Sequence, residues 1–256
     1  MDIHAYLRRI NYKGSRAPSA ETLRQLQVAH LLTVPFENLS IHLGEQIVLE
    51  DNALFEKIVG QRRGGFCYEL NGLFAALLRA LGFQVIMLSA EVANGEGVFG
   101  PQFDHMALLV TLEERWLVDV GFGDSFREPL LLAAEAEQVQ QERVYRIIAK
   151  DGRLTLMQGE NNGEWKAQYR FTLQPYTYAD YAEMCHYHQT SPQSHFTRQR
   201  ICSLATPDGR LSLSDRRLIT TTRYGSRQER VLEDEREYLT LLRDYFGIQN
   251  VSRHNL

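Results

Sequence analysis

Arg62-Arg63-Gly64-Gly65-Phe66-Cys67-Tyr68-Glu69-Leu70-Asn71, running on to Leu81-Gly82, is the stretch on which the fold turns. From Cys67 onward, Leu70, Phe74, Leu77 and Leu81 recur at steps of three and four and Leu73 and Leu78 widen the stripe. Gly82 stands where a glycine ends a helix, so the spacing predicts a helix with one broad face buried. Cys67 is its first residue. The unpaired N–H groups and positive dipole end of a helix start favour an anion, so a thiol placed there ionises more easily than a free one. Gly64 and Gly65 let the backbone turn sharply and leave room for a second molecule. Cys67 also lies on the apolar stripe with Leu70 and Phe74, and packing accounts for its position as well as chemistry does.

Upstream the chain reads as helical. Ser19 is an N-cap for a helix bearing Leu23, Leu26 and His30, and Asp51 for one bearing Leu54, Phe55, Ile58 and Val59 that stops at Gly60. Downstream the period changes to two: Val85, Met87 and Ser89 alternate with Ile86, Leu88 and Ala90 until the turn Asn94-Gly95-Glu96-Gly97. Strands 105–111 and 115–120 flank Glu113-Glu114, and 143–148 and 153–157 flank Asp151-Gly152. A small antiparallel sheet or barrel closes such hairpins. Beyond Pro175 a helical stretch 178–188, strands 200–205 and 211–213, and a polar helix over 227–246 are expected.

With 256 residues, 44% hydrophobic and 23% charged, the chain has material for one large core or a few small ones. A formal net charge of −4 lacks the basic field that neutralises a phosphate backbone, which argues against nucleic acid. The charged start (Asp2, Arg8, Arg9, Lys13) and the absence of an 18-residue apolar run disfavour secretion and membrane insertion, and a cytoplasmic protein is expected. Three cysteines, Cys67, Cys185 and Cys202, suit a reducing compartment in which one thiol can act chemically.

A nucleophilic thiol needs a base and a group that orients the base. His105 and Asp119 each interrupt otherwise apolar strands, and a His–Asp pair satisfies two buried polar groups while fixing the imidazole tautomer. If residues 113–115 form the loop, His105 and Asp119 share a face, but Asp119 lies opposite Leu109, about 13 Å from His105 at the usual strand rise. Contact then requires a bulge or a tighter turn.

These segments, with His105-Met106-Ala107-Leu108-Leu109-Val110 and Asp119-Val120-Gly121-Phe122-Gly123, resemble the arylamine N-acetyltransferases. Arg9-Ile10-Asn11-Tyr12, Val34-Pro35-Phe36-Glu37-Asn38-Leu39, Ser191-Pro192-Gln193-Ser194-His195-Phe196 and Cys202-Ser203-Leu204-Ala205-Thr206-Pro207-Asp208-Gly209 extend the resemblance over nearly the whole chain. It implies an α+β fold with a papain-like triad: a helical bundle over 1–83 carrying the nucleophile, an antiparallel β-barrel over 84–190 carrying the histidine and aspartate, and an α/β lid over 191–256. It further implies that Cys67 takes an acetyl group from acetyl-CoA, His105 holds the thiolate and Asp119 orients the imidazole. The group then passes to an arylamine or arylhydrazine by ping-pong kinetics through a thioester, as in xenobiotic metabolism. No bound cofactor and no metal are implied. The matching acceptor-pocket positions are Phe36, Tyr68, Val92, Phe122 and Phe196, and those facing the CoA co-substrate are Asp104 and Gly123, beside Gly121.

Two departures stand out. Many relatives carry Thr or Ser where this chain has Asp104, which places an extra negative charge near an anionic donor. Little sequence follows Tyr245-Phe246-Gly247-Ile248, so contacts from a longer tail are expected to be missing. A related thiol acyltransferase or amide synthase using a larger acyl thioester is the rival reading, and a binding protein with a silent triad is a third. Cys185-His186-Tyr187-His188 lacks a second ligand cluster for zinc, and the arginines of 216–230 alternate with acidic residues as a solvated surface does. A monomer or weak homo-oligomer is expected.

Overall fold

The computed structural model describes residues 1–132, 136–140, 143–159 and 163–249. Four helices precede the helix predicted from Cys67: α1 (Ile3–Arg9), α2 (Ala20–Leu31), α3 (Leu39–His42) and α4 (Asp51–Phe55). The predicted helix itself is α5 (Cys67–Ala80). Ser19 caps α2 as expected, its side chain accepting from the Thr22 N–H. Asp51 does not cap α4. Glu50 holds the N-cap position, α4 runs into a π turn over Glu56–Gly60, and the Asp51 carboxylate accepts from the Tyr178 hydroxyl at 2.9 Å instead. The stripe of α5 is buried along its length, with Leu70, Leu73, Phe74, Leu77 and Leu78 fully covered. These residues join α1, α2 and one face of the neighbouring sheet in a first core.

That sheet is antiparallel and has eight strands. In chain order β1 (Phe36–Glu37) belongs elsewhere, and β2 (Gln84–Val92), β3 (His105–Thr111), β4 (Arg115–Val118), β5 (Leu130–Leu131), β6 (Gln138–Gln140), β7 (Arg143–Lys150), β8 (Arg153–Gly159) and β9 (Trp165–Phe171) pair in the order β5-β4-β3-β2-β9-β8-β7-β6. The two ends nearly close into a barrel. Gln138 bridges them, its side-chain amide exchanging hydrogen bonds of 2.7 and 2.9 Å with the Leu131 backbone. A second core, including Leu88, Ala107, Leu109, Leu117, Leu156 and Tyr169, fills the interior, while the alternate residues Met87, Met106, Leu108, Val110 and Val118 face the helices. This is the period-two division expected of strands buried on both faces.

A 3₁₀ turn (Tyr178–Tyr181), α6 (Ala182–Thr190) and α7 (His195–Arg198) lead to β10 (Ile201–Thr206), β11 (Gly209–Ser214), β12 (Arg217–Thr222) and β13 (Arg227–Val231), which form a five-stranded sheet with β1 at its edge. The closing helix α8 (Glu235–Phe246) packs Tyr238, Leu241, Leu242 and Phe246 on that sheet in a third core. Together these layers make an α+β fold.

The polar helix expected over 227–246 is shorter. Its first part is the exposed edge strand β13, where Glu229 lies opposite Ile219 in register and pairs with Arg217 at 2.7 Å, and the helix starts only after Asp234 accepts from the Glu237 N–H. An edge strand facing water on both sides carries no apolar alternation to mark it. The β3–β4 turn differs from expectation as well. The loop is 112–114, closed by Leu112 N–H donating to Glu114 O at 2.8 Å, and Thr111 pairs with Arg115 and Leu108 with Val118. That shifts the register by two residues, keeps His105 and Asp119 on one face, and brings them together.

Candidate active site

Asp119 follows the end of β4, and His105 opens β3. His105 Nε2 lies 2.7 Å from Asp119 Oδ2. Because a carboxylate only accepts, Nε2 carries a proton, and in the neutral ring the lone pair is then on Nδ1. Both side chains are almost wholly buried, at 3% and 1% exposure. The carboxylate is held on every side. Its Oδ2 also accepts from the Tyr169 hydroxyl at 3.1 Å, and its Oδ1 accepts from Asn71 Nδ2 and the Gly121 N–H, each at 2.8 Å. Burial and the adjacent Asp119 charge push the Tyr169 hydroxyl well above its ordinary range, so it remains a donor. Asn71, one turn along α5 from Cys67, completes the lattice by donating to Met106 O at 2.6 Å and accepting from the Val120 N–H at 2.9 Å.

Cys67 sits where this lattice meets the start of α5. The N-cap is Phe66, which has no side-chain acceptor. Only the Phe66 N–H is covered, by Glu69 at 3.1 Å, so the first N–H groups of the helix meet no capping side chain. Gly121 passes so close that a Cβ there would lie 2.8 Å from Cys67 Cα and from Asn71 Nδ2. Only glycine fits, and this backbone contact joins the segment after Asp119 to the helix start. Cys67 is 3% exposed. Burial pushes its thiol well above the usual range, the Met106 N–H beside it works in the opposite direction, and the charges of Asp119 and Asp104 add to the rise. The helix start alone suggests easy ionisation; here burial outweighs it, and ionisation requires a proton acceptor in the site.

The loop that delivers Cys67 is pinned by buried ion pairs. Arg63 donates to both oxygens of Glu37, at 2.9 and 3.2 Å, and Lys57 reaches Glu69 at 2.7 Å. Burial raises the Glu37 carboxyl, but Lys57 and Arg63 outweigh it and hold that group below its ordinary range. Arg9 donates to the carbonyls of Ile58, Thr33, Arg62 and Arg63.

The five acceptor-pocket positions fall into two groups. Phe36, Tyr68 and Phe196 lie on the bundle side, with the Phe36 and Phe196 rings 6.1 Å apart and both Tyr68 and Phe196 edge-on to Phe66, at 5.0 and 5.7 Å. Tyr68 is fully buried, and its hydroxyl donates to Phe103 O at 2.6 Å. Phe122 lies on the barrel side, its ring 5.1 Å from His105 and 5.0 Å from Tyr169, and Val92 pairs with Tyr169 across the sheet. No ring contact among the described residues links the two groups. Asp104 reaches His188 Nε2 at 3.2 Å, so the extra negative charge noted in the sequence faces a basic side chain. Gly123 has φ +93° and open space where a Cβ would go. Tyr169 and Gln27, whose Oε1 accepts from the Asp119 N–H at 3.4 Å, stand outside the sequence expectations. The alternation of Trp165, Ala167, Tyr169 and Phe171 marks a strand, but nothing local marks its partner. Among the described residues no three His, Cys, Asp or Glu side chains are placed to hold a metal ion, and no helix is long and apolar enough to cross a membrane.

A buried cysteine at a helix start, a histidine anchored by a buried carboxylate, and an α+β scaffold of helices, near-closed barrel and second sheet are the features with which known proteins can be compared. The N-acetyltransferase family profile matches residues 19–255. The chain is 36% identical over 252 residues to the arylamine N-acetyltransferase / N-hydroxyarylamine O-acetyltransferase of Salmonella typhimurium, covering 96% of this chain and 88% of that protein. It superimposes with a TM-score of 0.89 on Mycobacterium marinum arylamine N-acetyltransferase in complex with CoA, at 34% identity over 96% of this chain and 93% of that one. It is also 32% identical over 257 residues to proansamycin X synthase of Amycolatopsis mediterranei, covering 94% of this chain and 95% of that protein. The chain belongs to the arylamine N-acetyltransferase family and is an acetyltransferase.

Proposed function

We propose that this enzyme moves an acetyl group from acetyl-CoA to the nitrogen of an arylamine or arylhydrazine through a Cys67 thioester. The observation that carries the reading is the buried Asp119 carboxylate, which accepts four hydrogen bonds, one of them from His105 Nε2 at 2.7 Å, and is followed by Gly121 packed against Cys67 Cα. In the first half-reaction the Cys67 proton passes to His105 Nδ1, sulfur attacks the acetyl carbonyl, and CoA leaves as its thiol with that proton. In the second, the amine nitrogen attacks the thioester, its proton passes to His105, and the Cys67 sulfur leaves. One site serves two substrates in turn, which gives ping-pong kinetics. Asp119 stabilises the imidazolium of each half-reaction. The helix start and the Met106 N–H favour the thiolate once His105 has accepted its proton.

In this reading Phe36, Tyr68 and Phe196 shape the acceptor side, Phe122 and Val92 border the histidine, and Asp104 and Gly123 lie toward the donor. The CoA complex of the Mycobacterium marinum relative supports the choice of donor. The test is intact-protein mass spectrometry after mixing with acetyl-CoA. Expected are a single acetyl adduct, its loss in Cys67→Ala, and its discharge by an arylamine. A native protein that takes up no acetyl group refutes the reading. One relative is named as a synthase, proansamycin X synthase, and the rival reading is an amide synthase fed by a larger acyl thioester; loading by such a donor but not by acetyl-CoA decides for it.

A further inference from the structure

We infer that His188 is a positioning residue for the acceptor half-reaction, holding the Tyr68–Phe196 side of the acceptor pocket in place against the strand that carries His105; this rests on the acetyl-transfer reading above. His188 lies on α6 and is 3% exposed. A buried imidazole is costly unless its nitrogens are paired, and here each nitrogen meets a different element. Nδ1 lies 3.1 Å from Ser194 Oγ, the N-cap residue of α7. Nε2 faces Asp104 Oδ1 at 3.2 Å, off the line of a hydrogen bond. The carboxylate favours the proton on Nε2, and in the neutral ring Nδ1 then accepts from the Ser194 hydroxyl. Ser194 Oγ in turn accepts from the Phe196 N–H at 3.2 Å. Polar contacts thus run from Asp104, the residue before His105, through His188 and Ser194 to Phe196.

The ring of His188 packs where these contacts lead. It stands edge-on to Phe196 at 5.2 Å and lies 6.2 Å from Tyr68, tilted by 32°. Tyr68 follows Cys67, and its hydroxyl donates to Phe103 O on the approach to β3. Among the described residues only Phe66 and His188 are in ring contact with both Tyr68 and Phe196. Phe66 belongs to the entry of α5, so His188 is the contact that comes from outside that segment. The Phe196 backbone is held on its other side as well, its carbonyl accepting from Asn38 at 2.8 Å and lying 3.0 Å from His42 Nε2.

Packing alone does not call for an imidazole here. A leucine would fill the space between the two rings without the cost of burying two nitrogens. What the histidine adds is its pair of polar contacts, and they fix where Phe196 stands relative to the start of β3. A ring wall binds the acceptor about equally in the ground and transition states, so its displacement raises the half-saturating acceptor concentration and leaves the limiting rate nearly unchanged.

The test separates the half-reactions. Cys67 is acetylated with acetyl-CoA, the excess donor is removed, and discharge of the adduct by 4-methylaniline is followed by intact mass over a range of amine concentrations. In His188→Leu, which keeps the bulk and loses both polar contacts, the half-saturating amine concentration should rise about 5- to 20-fold with the limiting discharge rate within about threefold of native. Loading is compared at saturating acetyl-CoA, which offsets the charge freed on Asp104, and should change less than about threefold. His188→Asn places its amide at the distance of Nδ1, keeps the Ser194 contact and should return the half-saturating concentration to within about threefold of native. Ser194→Ala removes the same link from its other end and should match His188→Leu, which it replaces if circular dichroism shows that variant unfolded. Equal loss in both half-reactions, an unchanged half-saturating concentration in His188→Leu, or His188→Asn as weak as His188→Leu overturns the inference. A native protein that takes up no acetyl group sinks the acetyl-transfer reading instead. Calorimetric titration with 4-methylaniline then decides the role of His188: weaker binding in His188→Leu supports it, and equal binding overturns it.

Discussion

Replacing Asp119 with asparagine probes the arrangement on which the mechanism rests, because the change alters one atom and almost no volume. Asp119 Oδ1 accepts from Asn71 and Gly121, and Oδ2 from His105 and Tyr169. An amide has one acceptor and one donor end, so one of these pairs must be lost. If the oxygen stays with Asn71 and Gly121, the new N–H₂ faces His105 Nε2. The ring then has to give up its Nε2 proton and carry it on Nδ1, the atom assigned to Cys67. A histidine in that tautomer cannot take the thiol proton, and the buried thiol, already pushed up by burial, stays neutral. Misorientation of the base in such triads costs roughly 10⁴-fold in turnover. An expected loss of about 10³- to 10⁴-fold in the rate of Cys67 acetylation corresponds to about 4 to 5.5 kcal/mol of barrier. The exchange of charge-assisted for neutral hydrogen bonds lowers stability by about 1 to 3 kcal/mol. The assay is stopped-flow mixing with saturating acetyl-CoA, read by intact mass, at a temperature where circular dichroism shows Asp119→Asn to be folded. If the folded variant acquires its acetyl group within about tenfold of the native rate, the tautomer argument is wrong.

Two further outcomes follow from the same geometry. Gly121→Ala puts a Cβ 2.8 Å from Cys67 Cα and 3.0 Å from Cys67 O; it should cost about 1 to 3 kcal/mol in urea unfolding and at least tenfold in acetylation rate, whereas an unchanged rate would show that the glycine is not a required contact. Stability should also fall toward both ends of the pH range. On the acid side burial lowers His30 to about 3, so the stability it contributes is full above the unfolded value near 6.5 and is lost as pH falls toward 3, about 2.7 kcal/mol by pH 4.5. On the alkaline side burial raises Cys67 and Cys202 and takes Cys185 to about 12, so the unfolded chain releases protons first and each thiol removes about 1.4 kcal/mol by pH 9.5. Urea midpoints from pH 4.5 to 9.5 check both limbs. His30→Phe should flatten the first and Cys67→Ala should remove about a third of the second; an unchanged alkaline slope in Cys67→Ala would mean that the thiol is already ionised at rest.

How far the sequence announces this site depends on whether its signals are local. Cys67 is marked by the stripe of α5 and the glycines before it, and His105 and Asp119 by being polar in apolar strands. Their contact is hidden by a turn whose loop begins at Leu112 rather than at Glu113, a difference of one residue that moves the partner of Asp119 by two. Tyr169 and Gln27 are harder still, since each meets Asp119 across 50 and 92 residues of chain and neither sits in a pattern that announces a polar partner. The strand Arg227–Val231 leaves no trace because it is exposed along its whole length, and a sequence read for buried faces cannot see an edge that buries none.

The same distinction explains why polar residues far from the chemistry cluster around the entry to α5. Glu37 holds Arg63, and Arg9 takes four carbonyls from Ile58, Thr33, Arg62 and Arg63. Asn38 donates to Phe196 O and Gln199 O and accepts from the Ile201 N–H, so it ties this loop to the start of the five-stranded sheet. Each is a buried polar group that is costly unless fully paired, and each pairing fixes one element relative to another. On the proposed mechanism the buried thiol needs the imidazole lone pair to take its proton, and a displacement of about 1 Å costs on the order of 10²-fold in rate. On that mechanism the ion pairs and carbonyl contacts act through position alone. They hold the Cys67 helix start against Gly121, and with it close to Asp119, which accepts from His105.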